Sequence, residues 1–386
     1  MKREINVWLL SLVSLLNDIS SKIVFPLLPL FIVSLGGGGI VIGLVSGLSE
    51  AIAASFTMLS GYWSDKWKKR KVFVVVGYII STVSRFGLAF SKLVGQILIF
   101  RSVERLGKGI REAPRDALLA SAVKKRKRGK YFGIHRAFDS GGAIIGSILA
   151  LVFFWFWGWE FKELFMLAGV IGLFSLLPLI LVKERKEIKK KLNLKVGWKQ
   201  LNKQLKWFFF ISGLFALGNF SYMFFVLKVQ DFMTGSLIIG GPIIFYIIYE
   251  LAYTLFSVPA GILSDKIGRG KVLMLGYGMF VFVCLGFMFL SSIWQFVILF
   301  VLYGLMYAFV NATERAYISD LSSEEIRGTA LGTYYLFTSL AVLPGGLMAG
   351  LLWDANKNLT FGYGLVIALL VVGMFWLHRK KKNKKK

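Results

Sequence analysis

The sequence predicts an all-α membrane protein whose twelve transmembrane helices form two pseudo-symmetric six-helix bundles. Three observations lead there. Apolar runs recur along the chain at lengths near those a helix rising ~1.5 Å per residue needs to cross a hydrocarbon core of ~30 Å. Basic residues gather in alternate connections, as on the cytoplasmic side of multi-pass proteins. A loop, Gly61-Tyr62-Trp63-Ser64-Asp65-Lys66-Trp67-Lys68-Lys69-Arg70-Lys71, returns 200 residues later as Gly261-Ile262-Leu263-Ser264-Asp265-Lys266-Ile267-Gly268-Arg269-Gly270-Lys271.

The apolar runs lie near 6–35, 40–63, 72–91, 94–118, 130–157, 161–182, 206–232, 238–263, 271–291, 293–319, 327–353 and 360–378. The first contains Asp18 and Lys22 and lacks a small-residue cleavage site, so it is read as a span and not as a signal peptide. Gly36-Gly37-Gly38-Gly39 makes a flexible outer turn after it. Residues 183–206 form the one sizeable polar segment and divide the chain into a bundle at 1–182 and a bundle at 207–378. This basic linker is expected on the cytoplasmic side, as a solvated connection or a short amphipathic helix on the membrane surface. A Lys-rich tail, 379–386, ends the chain. Gly142-x-x-x-Gly146 and Gly346-x-x-x-Gly350 let helix backbones approach closely.

A net charge of +27 raises the question of a nucleic-acid partner, but its distribution answers it. The cations occupy the N-terminus, 66–71, 124–130, 183–206, 266–271 and the tail, while the intervening connections carry only Lys92, Lys162 and Lys357. That pattern puts both termini in the cytoplasm of a cell (plasma) membrane protein, with lipids rather than nucleic acid as partners. The single Cys284 excludes a disulfide framework. Two histidines and no Cys/His cluster give no metal site. Without a Gly-x-x-x-x-Gly-Lys-Ser/Thr loop, ATP is not the direct energy source. No cofactor and no catalytic residue are assigned; the chain is not read as an enzyme.

The repeat extends beyond the loop. Glu50 and Glu250 each precede its opening glycine by 11 residues, and Arg115 and Arg315 share the 200-residue offset. The pattern Gly-x-x-x-Asp-Lys-x-x-Arg/Lys-x-Lys, between spans two and three and again between eight and nine, resembles motif A of the major facilitator superfamily. The resemblance covers essentially the whole chain and implies a secondary transporter working by alternating access. In the first copy Lys68 stands where the family has glycine, which implies a differently shaped loop. The resemblance implies gating roles for Gly61, Asp65, Lys66, Lys71, Gly261, Asp265, Lys266 and Arg269. Arg115 and Arg315 are the expected partners of Asp65 and Asp265. The family also places an arginine linked to proton coupling on span four, near glycines, and the resemblance implies that role for Arg101 or Arg105 beside Gly107 and Gly109.

Charges at membrane depth are costly, so they mark function or a buried network. Asp18 and Lys22 are spaced to pair at i,i+4. Arg101, Glu104, Arg105, Lys108, Arg111, Glu112 and Arg115 step along span four on one stripe that cannot face lipid. Proton-coupling candidates are Asp18, Glu50, Glu104, Asp139 and Glu250. Cavity candidates are Asn17, Lys22, Arg101, Arg105, Lys108, His135, Asn219 and Tyr222. The excess of cations along 101–116 favours an anionic solute. The expected activity is proton-coupled efflux by antiport of a small molecule, by a monomer. Proton-linked uptake or exchange of an organic anion is the first alternative. A non-transporting sensor or lipid-handling protein on the same scaffold is the second.

Overall fold

A computed structural model of the chain describes residues 5–123, 128–184, 201–322 and 327–383. Most of the basic linker, the 124–127 cluster and the last three lysines lie outside the described residues. Among the described residues there is helix and no strand. The first six spans are α1 (Ile5–Val24) with α2 (Leu28–Ser34), α3 (Gly39–Trp67), α4 (Arg70–Ala89), α5 (Val94–Ala122), α6 (Arg128–Leu151), and α7 (Phe161–Phe174) with α8 (Leu177–Leu181). The second six are α9 (Lys203–Gly218) with α10 (Tyr222–Gln230), α11 (Leu237–Ile267), α12 (Arg269–Phe289), α13 (Ile293–Leu321), α14 (Arg327–Ala355) and α15 (Lys357–Asn383).

Eleven of these segments are long and apolar enough to cross a membrane. The remaining span is α5, whose 29 residues have the length but carry the charged stripe. Three spans are interrupted. The first breaks at 25–27, where Pro26 has no amide to donate and Pro29 opens α2. The sixth restarts at Pro178 in the same way. The seventh breaks at Asn219, and Ser221 then caps α10 by accepting from Met223 N at 3.4 Å. α6 ends in a π-helical turn, Val152–Phe156.

Two compact units are present, one of residues 1–37, 48–190 and 236–244, the other of 38–47, 191–235 and 245–386. In the first, α4 lies along α5 and α1 along α6. Burying apolar side chains gains little between helices in lipid, so close van der Waals packing of small residues carries these contacts. A Cβ on Gly77 would come within 2.6 Å of the Gly107 carbonyl oxygen, and one on Gly107 equally close to that of Gly77. One on Gly142 would meet the Leu15 carbonyl at 2.5 Å.

In the second unit α9 packs on α14, and α12 on α13 and α15. The start of α3 packs on α14, with Gly39 against the Gly350 carbonyl and Gly43 against Gly346. Asp354 accepts from the amides of Gly39 at 2.6 Å and Ile40 at 3.0 Å, capping that helix end. The glycine run is therefore more than a turn. Gly36 supplies the left-handed φ of 81°, and Gly38 and Gly39 pack against α14.

Candidate functional site

The α5 stripe is buried and paired, because each guanidinium lowered into the membrane needs acceptors to replace water. Arg85, fully buried on α4, donates to Glu104 Oε1 at 3.3 Å, Ser20 Oγ at 2.7 Å and Asn17 Oδ1 at 3.0 Å. Glu104 also accepts from Arg101. The carboxylate is thus held between two cations. Arg111 donates to Ser81 Oγ at 2.5 Å and stacks on Tyr78 with 4.6 Å to the ring centroid. Of the candidates, Glu104, Asn17 and Arg101 belong to this network, which joins α1, α4 and α5.

Phe25, in the first-span break, gathers the cationic candidates. Lys22 Nζ lies 4.9 Å from its ring centroid, and the guanidinium carbons of Arg101 and Arg105 lie at 4.9 and 5.3 Å. A ring face attracts cations through its quadrupole, so one phenyl group draws three of them together. Glu50 faces Arg105 at 3.5 Å, and its side chain is 48% exposed although it sits well inside α3. A charged group exposed at that depth belongs beside water or a polar solute, not lipid. Lys108 follows Arg105 on the same helix and is half-buried.

Asp18 accepts from Asn17 Nδ2 at 3.2 Å, while Lys22 is drawn to Phe25. Ser14 Oγ donates to Asp139, and Arg115 donates to that same hydroxyl at 3.3 Å. His135 and Arg136 lie 3.9 and 3.8 Å from Asp139. Arg115 pairs with its neighbour Asp116 at 3.0 Å. Asp65 is engaged by Arg70 through Nε at 3.0 Å and Nη2 at 2.7 Å. The first-loop geometry therefore differs from the Asp65–Arg115 pairing expected above.

In the second loop Arg269 bridges Asp265 at 2.5 Å and Asp320 at 3.2 Å, and Arg315 lies 5.7 Å from the Tyr335 ring centroid. Lys266 is exposed, Lys66 lies 5.9 Å from the Tyr62 ring, and Lys71 Nζ donates to the Ile180 carbonyl at 2.9 Å. Ser64 and Ser264 donate to the carbonyls of Gly61 and Gly261 at 3.0 and 2.7 Å. Lys68 adopts φ 55° where Gly268 adopts φ 95°, so the substituted first loop keeps a positive φ. Glu184, which the motif did not flag, accepts from the amides of Arg70 at 2.5 Å and Lys71 at 3.1 Å and caps α4.

The second unit has a different chemistry. Glu250 accepts from Tyr246 at 3.1 Å, Tyr222 lies 5.0 Å from Tyr246, and Tyr307 donates to Asn219 at 3.4 Å. Hydroxyls on rings replace the guanidinium groups of the first unit. Deeper along α13, buried Glu314 accepts from Tyr277 at 2.9 Å and from Tyr334. Nothing in the spacing of the sequence set it apart.

Long apolar helices in two helical units, with charge networks buried among them, define a multi-pass membrane protein. The chain matches the Major Facilitator Superfamily over residues 10–249 and again over 243–386, and it belongs to that family. It is a secondary transporter, with a small-molecule substrate and membrane lipids as its partners. A Methanocaldococcus jannaschii protein described as an uncharacterized MFS-type transporter is 47% identical, covering 95% of this chain and 92% of the relative. The multidrug resistance protein MdtH of Aeromonas hydrophila is 28% identical, but over only 45% of this chain and 42% of its own. Among solved structures, a mutant of the nucleoside transporter NupG superposes with a TM-score of 0.81 at 18% identity, covering 96% of this chain and 100% of that one. The POT family transporter PepTSo gives 0.79 at 12% identity, covering 99% of each chain. Both share the fold.

Proposed function

We propose that the chain moves a small organic anion together with a proton across the plasma membrane, both termini being cytoplasmic. The observation that carries this is the half-exposed Glu50 carboxylate facing Arg105 inside an apolar helix, with Arg101 and Lys22 drawn to the same Phe25 ring. An incoming carboxylate or phosphoryl group competes with Glu50 for Arg105. Once displaced from Arg105, Glu50 takes a proton more readily, because a carboxylate that loses its counter-cation has its charged form destabilised relative to the neutral one. Anion and proton then travel together, because binding the anion at Arg105 favours protonation of Glu50 and protonation of Glu50 favours binding the anion. Lys22, Arg101, Arg105 and Lys108 are the solute contacts, and Glu50 is the first proton site. Asp18 and Asp139 are secondary sites; Glu104, clamped by two cations, serves structure.

Efflux by proton antiport is the second reading, favoured by the partial similarity to MdtH. Proteoliposomes of the pure protein, with an imposed pH gradient and labelled mono- and dicarboxylates or sugar phosphates, separate the readings. Uptake of an anion toward the alkaline side, abolished by a protonophore and by Glu50→Gln, supports the proposal. Extrusion against the proton gradient supports antiport. Anion flux that ignores the protonophore overturns coupling.

A further inference from the structure

Glu314 is 5% exposed, and the described groups around it supply no counter-cation at hydrogen-bonding distance. α12 contributes Tyr277, fully buried, whose hydroxyl donates to Oε1 at 2.9 Å. From α14 Tyr334 donates to Oε2. α9 brings the buried Ser212 hydroxyl up to Glu314 and Tyr277. The neighbouring cation on α13, Arg315, is exposed and lies over the Tyr335 ring. Aromatic carbon packs beside these hydroxyls: Phe208 stacks at 6.4 Å on Tyr334, and Phe215 lies tilted at 4.5 Å from Tyr277. This differs from Glu104, which two guanidinium groups neutralise. A charged carboxylate buried without a cation is costly, and taking a proton removes the cost.

We infer that Glu314 is a proton-binding site of the second unit, its proton held in a box of two tyrosine hydroxyls and two phenylalanine rings. The step is a simple protonation. Water or hydronium gives H⁺ to one carboxylate oxygen, no covalent bond to carbon changes, and both tyrosines keep their own protons. On loading, the carboxyl becomes a donor as well as an acceptor, so its bonds to α12 and α14 must rearrange, and Ser212 offers a further oxygen. The charge state of one side chain is thereby coupled to the contacts of α13 with three neighbours. This extends the proton-coupled reading above by giving the second unit its own titrating group.

Infrared difference spectra of the full chain in liposomes, recorded between alkaline and acidic buffer, read the site directly and need no substrate. The wild type should show the carbonyl stretch of a protonated carboxylic acid that Glu314→Gln loses. Tyr277→Phe and Tyr334→Phe, which keep Glu314 and serve if the glutamine variant fails to fold, should each move that stretch to higher frequency by removing a hydrogen bond. A carbonyl region unchanged in Glu314→Gln, or a band indifferent to both tyrosine variants, overturns the inference. The two proposals fail separately: protonophore-insensitive flux with the band present removes coupling and leaves the site. Coupled flux with no Glu314 band does the reverse.

Discussion

Glu104→Gln separates a structural carboxylate from a working one. Glu104 is 6% exposed and touches Arg85 at 3.3 Å as well as Arg101, which are 0% and 3% exposed. Removing one member of a buried ion pair costs about 3–5 kcal/mol, because the partner charge is left uncompensated. Glutamine keeps one acceptor oxygen, and Arg85 keeps its bonds to Ser20 and Asn17. The cost should therefore fall at the low end, about 3 kcal/mol, and rise toward 5 kcal/mol in Glu104→Ala. Glu50→Gln is the control. Its carboxylate is 48% exposed and 3.5 Å from Arg105, so losing that pair should cost under about 1 kcal/mol of stability. Reversible unfolding in mixed detergent micelles, followed by helical circular dichroism, measures both. Flux in liposomes should show the opposite order, with Glu50→Gln inactive and folded. Equal destabilisation by the two variants, or a loss below about 1 kcal/mol in Glu104→Gln, would refute the division of labour.

The duplicated loops respond unequally to substitution. Gly268→Ala forces a Cβ onto φ 95° and should cost about 1–2 kcal/mol in the same unfolding assay, whereas Lys68→Gly, at φ 55°, should change stability by no more than about 0.5 kcal/mol, as relieved strain offsets added chain entropy. Gly43→Ala sets a methyl against the Gly346 backbone and should destabilise the second unit by about 1–3 kcal/mol; Gly43→Ser should be worse. Asp354→Ala removes the cap on α3 and should cost about 1 kcal/mol, with Asp354→Asn recovering much of it. Asp265→Asn breaks an exposed pair with Arg269 and should leave stability within about 1 kcal/mol. If that loop gates the pathway, the same variant should change reactivity of introduced cysteines near it.

Much of the fold was readable because membrane helices announce themselves locally. Twenty apolar residues need no partner to be recognised, whereas the exchange of residues 38–47 and 236–244 between the two compact units has no signal in the order of the spans. α5 was read as a span over 94–118, although its charged stripe keeps it from being apolar enough to cross a membrane by composition alone. Site residues were legible as types, not as pairs. Glu104 and Glu50 look alike on paper, and burial beside Arg85 is what distinguishes them. Asp65 was expected to reach across to Arg115, yet a nearer arginine, Arg70, satisfies it. Phe25 carried no signal at all, because a phenylalanine among many is unremarked until three cations converge on it. The interruption at Asn219 was visible only as polarity, for no proline marks it.

Cys284 is the one cysteine of the sequence, and it is fully buried on α12. A maleimide or nitroxide reagent therefore meets a silent background in the folded chain. Single thiols placed at Asp18, Glu50, Glu250 or either loop can be labelled without first rebuilding the protein as a cysteine-free variant. The same shielded sulfhydryl becomes reactive when its unit opens, which supplies a fluorescence reporter of melting at no cost to the native sequence.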